Sequence, residues 1–308
     1  MICDDADVTR VDQQETLASS DRDSRVSTPE GPVVELERGA TVGRYVILAR
    51  LGAGGMGVVY AAYDPELDRK VALKVLRPIA DASASSTEGR TRLLREAQAM
   101  AKLAHPNVAA VYDAGAFGEH VFIAMEFVEG QTLTQVMKKQ RLSVQQIKHV
   151  LYYACIGLDH AHQQGIFHRD VKPDNFMITK AGVVKVMDFG IARIRESDLT
   201  QTGSVMGTPA YMSPEQVNGQ KIDARSDIFS LGVILYELLT GRKPFTGESV
   251  SSLMFAIIQG TPAQPSTVDG KINTTWDEIL RKALAKDREA RYATAKEFAQ
   301  AIKDVPAR

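Results

Sequence analysis

The sequence predicts an α+β fold, with a small antiparallel β-sheet lobe that contains one helix and a larger, mainly helical lobe after it. Two observations indicate this order. Short β-branched and aromatic runs dominate residues 45–127, and helical periodicity dominates beyond Gly130. The third observation is size, because 308 residues that are 44% hydrophobic can bury one large core or two lobes. A cleft between two lobes is the expected place for a ligand.

Five apolar runs predict the strands of the first lobe. They are residues 45–51, 58–63, 71–76, 109–114 and 121–127. Between the third and fourth runs, apolar residues recur at helical spacing until His105-Pro106 stops them, which predicts a single helix. The recurring residues are Leu93, Leu94, Ala97, Met100 and Ala101.

Two long helices are predicted in the second lobe. Ser143 and Gln146 form a capping-box pattern that begins the first helix, and Gly165 ends it. The second helix runs from about residue 227 to residue 240 and stops at Gly241. Its apolar part, residues 229–239, is too short to span a bilayer, so we predict no membrane segment in this chain.

Charge is unevenly distributed along the chain. Residues 1–39 hold ten acidic and four basic residues, whereas the whole chain has a net charge of only -1. We predict that residues 1–39 are a disordered acidic tail and that residues 40–308 form the globular domain. The absence of a strong basic excess argues against nucleic acid as a partner. Two cysteines, Cys3 and Cys155, support neither a disulfide framework nor a thiolate metal site, which favours a cytoplasmic location.

A glycine-rich segment joins the first two predicted strands. Because a strand follows it, the segment predicts a hairpin flap whose backbone N–H groups can approach phosphate oxygens. A plain glycine turn is the alternative, and a dinucleotide site is disfavoured because no helix follows. The segment consists of Leu51, Gly52, Ala53, Gly54, Gly55, Met56 and Gly57.

A lysine interrupts the third apolar run. An ammonium group at Lys74 would be costly in such a strand without an anionic partner. Glu96, on the single predicted helix of the first lobe, is the natural candidate. Taken alone, the two would more readily be interpreted as an ordinary surface pair, but their position between the glycine-rich segment and residues 168–175 reverses that preference.

Residues 168–175, His-Arg-Asp-Val-Lys-Pro-Asp-Asn, and the later Asp-Phe-Gly at 188–190 concentrate chemically active groups. Asp170 is a candidate base and Lys172 a cation that could neutralise a phosphoryl group. Asn175 and Asp188 are candidate ligands of magnesium. Phosphoryl transfer needs this combination of groups.

Taken in order, these motifs resemble those of the protein kinases, and in particular of the bacterial Hanks-type serine/threonine kinases. The resemblance covers about residues 45–298 and includes Gly-Thr-Pro-Ala-Tyr-Met-Ser-Pro-Glu at 207–215 and a late arginine, Arg291. It implies a bilobal protein kinase fold, with an N-lobe at about 40–128 and a C-lobe at about 131–303.

The resemblance also implies a role for each charged residue. Asp170 would orient the acceptor hydroxyl and accept its proton, and Lys172 would stabilise the transferring γ-phosphoryl group of ATP. Lys74 would hold the α- and β-phosphates. Asn175 and Asp188 would bind Mg²⁺, with Mn²⁺ as an alternative ion.

By the same resemblance, apolar residues enclose the adenine ring. Val59 and Ala72 would lie above it and Met177 below it, with Met125 at the entry to the back of the pocket. Backbone groups of three residues would bond the adenine edge. They are Glu126, Phe127 and Val128.

Acceptor type and regulation are implied as well. Lys172 together with Thr208 resembles the serine/threonine branch. Arg169 would pair with a phosphate on the loop between Asp188 and Glu215, which could order that loop. The candidate phosphosites are Thr200, Thr202 and Ser204.

Three other residues are expected to be structural. Glu215 would pair with Arg291, and Asp227 would hold the backbone of the 168–175 loop. The motif that ends at Glu215 has Ser213 where alanine is commoner in the family.

Two functions of different classes therefore remain at the level of sequence. The first is an active serine/threonine kinase acting on protein substrates; the second is a pseudokinase scaffold, although none of the expected lysine, base or metal ligands is missing. The resemblance leaves open a homodimer and phosphothreonine-binding partners. It also leaves open whether this chain is the cytosolic part of a longer membrane-anchored protein.

Overall fold

The computed structural model describes residues 35–55, 57–77, 86–189 and 209–306. Most of the predicted tail and several predicted site residues lie outside these ranges. These site residues are Met56, Thr200, Thr202, Ser204 and Thr208.

A six-stranded antiparallel sheet and one helix form the first part of the described chain. The sheet has the order β1-β2-β3-β4-β6-β5, and α1 lies between β4 and β5 in sequence. The five predicted strands and the helix are thereby confirmed, and β1 is additional. The elements are β1 Thr41–Val42, β2 Tyr45–Gly54, β3 Gly57–Asp64, β4 Arg69–Leu76, α1 Ser86–Met100, β5 Val111–Phe117 and β6 His120–Glu126.

The fourth predicted strand begins two residues later than expected. The N–H of Ala109 donates to Val186 O at 2.9 Å, and Ala110 O accepts from the N–H of Glu126 at 2.8 Å. The chain at 109–110 therefore bonds to two different segments before β5 pairs with β6.

The two faces of the sheet have different partners. Cross-strand pairing places Lys74 opposite Val59 on β3 and opposite Ile123 on β6, and it pairs Ala72 with Met125. Because side chains alternate along a strand, these residues share one face. The opposite face carries a separate apolar cluster. Its members include Val58, Tyr60, Val71, Leu73, Val75 and Phe122.

The last residues of the predicted tail contact this sheet. The N–H of Leu36 donates to the hydroxyl of Tyr60 at 3.1 Å, and Glu35 forms a 2.7 Å ion pair with Arg50. The N–H of Gly39 donates to Ile47 O at 2.9 Å. The predicted boundary after residue 39 therefore assigns to the tail a segment, 35–39, that bonds to the sheet.

A second, three-stranded sheet was not predicted. It has the order β7-β8-β9, where β7 is Gly130–Thr132, β8 is Phe176–Thr179 and β9 is Val184–Val186. Asn175 immediately precedes β8, at the end of a 3-10 turn at Pro173–Asn175, and Asp188 follows β9 by two residues. The β8–β9 hairpin therefore brings the two predicted metal ligands to its open end.

The remaining helices form the larger part of the core. The predicted capping box of α3 is confirmed, because Ser143 accepts from the N–H of Gln146. α5 begins three residues before the predicted position because Asp223 caps it, and Gly241 ends it at a φ of 71°. The helices are α2 Leu133–Lys139, α3 Val144–Gln163, α4 Pro214–Val217, α5 Ala224–Thr240, α6 Val250–Gln259, α7 Pro265–Val268, α8 Thr275–Ala283 and α9 Ala295–Asp304.

The main apolar cluster extends from the helices to the inner face of the first sheet, where Ile123 and Met125 join it. Across the described ranges, no helix has both the length and the hydropathy needed to cross a bilayer.

Candidate active site

A buried carboxylate holds the loop at 168–175. Asp227 Oδ2 accepts from the N–H of His168 at 2.8 Å and lies 2.7 Å from His162 Nε2, while Oδ1 accepts from the N–H of Arg169 at 2.9 Å. Burial alone would raise the pKa of Asp227, but its bonds with His162 and the backbone lower it below the ordinary value. The predicted anchoring role of Asp227 is confirmed.

His168 connects this loop to the segment after β9. Its Nδ1 accepts from the N–H of Asp170 at 3.3 Å, so the proton is assigned to Nε2, which donates to Met187 O at 2.8 Å. Its ring also contacts Phe189, with centroids 4.9 Å apart. The base-bearing loop and the segment that carries Asp188 are thereby joined.

Two of the motif residues have left-handed backbone. Arg169 has a φ of 67° and Asp188 a φ of 56°. Such values are costly for residues with a Cβ and are found where the surrounding structure enforces them. Here the enforcing contacts are the bonds of Asp227 and His168, which flank the two positions.

Two predicted site residues, Lys172 and Asn175, converge at a third, Asp170. Lys172 Nζ lies 2.7 Å from Asp170 Oδ2, and Asn175 Nδ2 donates to Asp170 O at 2.7 Å and to Oδ2 at 3.2 Å. The Asp170 side chain remains 31% exposed, so a substrate group can reach it. Both side-chain bonds end on Oδ2, which orients Oδ1 for a further partner.

Lys74 forms an ion pair that the sequence did not predict. Its Nζ lies 3.0 Å from Asp188 Oδ2, and the Lys74 side chain is only 7% exposed. This ion pair joins β4 of the first sheet to the segment after β9. The pairing of Lys74 with Glu96, which lies partly buried on α1, stays a prediction.

The predicted metal site fits Mg²⁺ in its donor set. Asn175 uses its amide nitrogen on Asp170, so its carbonyl oxygen Oδ1 points away and is available as a ligand. No group of three or more His, Cys, Asp or Glu side chains within the described ranges could hold a metal ion. One carboxylate, one amide oxygen and the phosphates of a substrate match the way Mg²⁺ is usually bound.

The glycine-rich segment forms the hairpin between β2 and β3. A Cβ added at Gly52 or Gly54 would meet no atom within 4 Å, so the chain itself does not require glycine there. Gly57 differs, because its φ is 150° and a Cβ would lie 2.1 Å from Val75 O. The backbone of Gly57 therefore packs directly against β4, whereas the space beside Gly52 and Gly54 is open. Gly55 lies in the turn, and Leu51 and Ala53 are exposed on β2.

The predicted adenine-pocket residues lie in both sheets. Val59 and Ala72 share the inner face of the first sheet with Met125, and Met177 lies on β8 opposite Lys185 of β9. Phe127 and Val128 follow β6 as connecting chain.

The structure excludes one of the backbone groups that were predicted to bond the adenine edge. The N–H of Glu126 donates to Ala110 O at 2.8 Å, so this N–H is not available to a ligand.

An apolar cavity lies behind Met125. Phe189 and Asp188 line it together with residues of α1 and of the first sheet. Met125 is part of the lining of this cavity, and its control of entry to the adenine pocket stays a prediction. The other lining residues are Met100, Leu103, Val108, Ala109, Val111 and Ile123.

The 209–217 segment is tied to both the helical core and the catalytic loop. Arg291 donates to both carboxylate oxygens of Glu215, at 2.7 and 2.9 Å, which confirms the predicted pair. Ser213 caps α4, and Gln216 Nε2 donates to Arg169 O at 2.6 Å. The sequence did not predict the bond from Gln216.

A second missed contact is an ion pair of 2.7 Å between Lys185 and Glu126. The sequence signal that could have found it is the one that drew attention to Lys74, namely a lysine within an apolar run.

Comparison with known proteins decides the family. A family model described as protein kinase domain matches residues 45–303. The chain belongs to the protein kinase family. Among the solved structures similar to this kinase domain is the Mycobacterium tuberculosis PknI kinase domain, at 31% identity and a TM-score of 0.71, covering 88% of this chain and 99% of that one.

Similar curated kinases are bacterial. The serine/threonine-protein kinase PknB of Mycobacterium leprae is 46% identical over 83% of this chain and 42% of the relative. The probable serine/threonine-protein kinase PknB of Bifidobacterium longum is 43% identical over 83% of this chain and 39% of the relative. This kinase chain therefore spans about two fifths of the length of these relatives.

Proposed function

We propose that this chain is an active kinase that transfers the γ-phosphoryl group of Mg-ATP to serine and threonine hydroxyls of proteins. The observation that carries the proposal is the convergence of Lys172 and Asn175 on Asp170, on a loop held by the buried Asp227. Asp188 forms an ion pair with Lys74, which brings β4 of the first sheet to the same predicted site.

Asp170 acts on the acceptor. Its partly exposed carboxylate accepts the hydroxyl proton at Oδ1, while Lys172 and Asn175 fix Oδ2 and thereby orient the group. The hydroxyl oxygen then forms a bond to the γ-phosphorus as the bond from that phosphorus to the β–γ bridging oxygen breaks. Lys172 lies close enough to Asp170 to interact with the same phosphoryl group during transfer.

Asp188, Asn175 and Lys74 act on the phosphates. Asp188 and the Oδ1 atom of Asn175 would hold Mg²⁺ or Mn²⁺, and the bound ion would neutralise charge on the phosphate oxygens. Lys74, which now bonds to Asp188, would hold the α- and β-phosphates beside it. The open space above Gly52 and Gly54 allows backbone N–H groups to approach those oxygens.

The residues of the proposed pocket favour adenine as the nucleobase of the bound nucleotide. In the proposal, Val59 and Ala72 on the first sheet form an apolar roof, Met177 on β8 forms an apolar floor, and the carbonyl of Glu126 bonds to the ligand at the edge. Backbone groups of Phe127 and Val128 complete that edge in the proposal. The proposed acceptor type rests on Lys172 and Thr208 and on relatives that are named serine/threonine kinases.

Incubation with labelled ATP and Mg²⁺ tests the proposal. We expect label to enter the chain and a generic protein substrate, and acid hydrolysis to release phosphoserine and phosphothreonine. Chelation of the divalent ion with EDTA should reduce transfer to background, because the phosphates lose their counter-charge.

A pseudokinase would give a different outcome in the same assay. It would bind the nucleotide but transfer no label with either Mg²⁺ or Mn²⁺. Release of phosphotyrosine alone would contradict the proposed acceptor class.

We also propose that phosphorylation of the 200–204 region activates the kinase. Arg169 lies next to the base, with its backbone fixed by Asp227 and Gln216, so a loop phosphate paired with its guanidinium would act at the catalytic loop. After incubation with Mg-ATP, mass spectrometry should find phosphate on Thr200, Thr202 or Ser204 of the wild type. A chain that transfers label to other proteins at full rate without phosphate on this loop would contradict the proposal.

Substrates, partners and location belong to the same proposal. Proteins with serine or threonine acceptors are the proposed substrates, and phosphothreonine-binding proteins and a second copy of the chain are proposed partners. The proposed location is the cytoplasm, where ATP is present, either as a free protein or as the cytosolic part of a longer membrane-anchored one.

A further inference from the structure

A charged pair lies beside the predicted nucleotide pocket and outside the proposed catalytic set. Lys185 Nζ is 2.7 Å from both Oε1 and Oε2 of Glu126. The two side chains are 16% and 24% exposed, so the pair is largely removed from water. At this burial, the loss of one partner costs more than it would at the surface.

The two residues of this pair belong to opposite ends of the site. Glu126 is the last residue of β6, and its carbonyl is the group proposed to face adenine. Lys185 is on β9, three residues before the proposed metal ligand Asp188. Lys185 is also the cross-strand partner of Met177, so its side chain leaves β9 on the face that carries the proposed pocket floor.

A short segment of chain at 107–110 reinforces the connection. The N–H of Ala110 donates to Glu126 Oε2 at 3.3 Å, and the N–H of Ala109 donates to Val186 O at 2.9 Å. Asn107 Nδ2 donates to Val184 O at 2.8 Å. The end of β6 and the strand β9 are therefore held at one separation by the ion pair and by this segment together.

Lys185 is the cation that pairs with Glu126. The ring of His105 stacks on that of His160, with centroids 5.0 Å apart, and its Nδ1 accepts from the N–H of Asn107 at 3.1 Å. Burial, His160 and Lys185 all lower the pKa of His105, which keeps its ring neutral at pH 7.

We propose that Lys185 and Glu126 are positioning residues that fix the distance between the base-binding and the phosphate-binding ends of the site. The inference rests on the proposed function, since it takes a purine nucleoside di- or triphosphate as the ligand. Such a ligand engages both ends at once, whereas a nucleoside engages only the first. The pair should therefore contribute to the binding of ADP and ATP but not to that of adenosine.

Titration calorimetry with two probes, Mg-ADP and adenosine, tests this. Lys185→Met should weaken Mg-ADP binding by about five-fold, a typical effect for one partly buried ion pair. Adenosine binding should change by less than about two-fold. Lys180→Met, in the exposed turn of the same hairpin, is the matched control and should leave both affinities unchanged.

A charge reversal separates positioning from damage to the fold. Lys185→Glu combined with Glu126→Lys should recover most of the Mg-ADP affinity, whereas Lys185→Glu alone should not. Equal weakening of adenosine and Mg-ADP, or no weakening of either, would overturn the inference. Because calorimetry needs no turnover, absence of phosphoryl transfer by the wild type would count against the proposed function only.

Discussion

Replacing Asp170 by asparagine is expected to lower kcat for phosphoryl transfer by about a thousand-fold, within the range for loss of a general base. Asparagine has nearly the same shape, and its amide oxygen can still accept from Lys172 Nζ and from Asn175 Nδ2. The loop, which Asp227 holds independently through its backbone, should keep its position. The loss should therefore appear in kcat, with little change in the affinity for Mg-ADP.

The measurement is single-turnover transfer of labelled phosphate to a generic substrate, with nucleotide affinity determined alongside it. Asp174→Asn is the matched control, because Asp174 is an exposed carboxylate on the same loop and should leave kcat within about two-fold. A rate for Asp170→Asn within ten-fold of wild type would contradict the assignment of Asp170 as the base.

The largest expected effect on stability belongs to Arg291→Met. The Arg291 side chain is fully buried and donates to Glu215 and to the carbonyls of Ala285, Arg225 and Lys286. Removal of the guanidinium leaves a buried carboxylate and several carbonyls without their donor. We expect the free energy of unfolding to fall by about 3–5 kcal/mol, which is typical for breaking a buried ion pair.

Urea denaturation measures this loss, and two further variants define its cause. Arg281→Met breaks a surface pair with Glu278, whose side chains are both 72% exposed, and should cost less than about 1 kcal/mol. The double variant Arg291→Met, Glu215→Leu also removes the carboxylate that Arg291→Met alone would leave buried without a partner. It should therefore recover part of the stability. A loss for Arg291→Met no larger than that for Arg281→Met would contradict the energetic role of the pair.

The Arg291–Glu215 pair makes a pH-dependent contribution to the free energy of unfolding. Burial alone would raise the pKa of Glu215, but the hydrogen bonds from Arg291 and Ser226 lower it below the ordinary 4.5. The stabilisation is therefore complete above pH 4.5 and is lost as the pH falls through the lower pKa of the folded state. In Arg291→Met this acid-dependent component should largely disappear.

The sequence predicted those parts of the fold whose signals are local. The capping box at Ser143, the stop at Gly241 and the alternating strands of the first sheet depend on neighbouring residues only. The three-stranded sheet was missed because its strands have three or four residues each and because β7 pairs with a segment more than forty residues away. Short strands of that kind carry no periodicity to detect.

In the candidate site, too, the contacts between residues that are close in sequence were the ones that could be predicted. Asp170, Lys172 and Asn175 lie within six residues of one another, so their convergence follows from one compact loop. Contacts between elements could not be inferred in this way. The ion pair of Lys74 with Asp188 was not predicted, because it depends on how the first sheet lies against the β8–β9 hairpin. The contact of Lys185 with Glu126 depends on the same arrangement. The pairing of Lys74 with Glu96 stays a prediction.

The left-handed backbone at Arg169 and Asp188 has a consequence for how this protein could be improved or degraded by mutation. Glycine would relieve conformational strain of about 1–3 kcal/mol at such a position. At Asp188, however, it would also leave the buried ammonium of Lys74 without its carboxylate, which costs more than the strain that is relieved. Selection for thermal stability alone should therefore retain Asp188 in spite of its strained backbone, because the side chain that the proposed chemistry requires also neutralises Lys74.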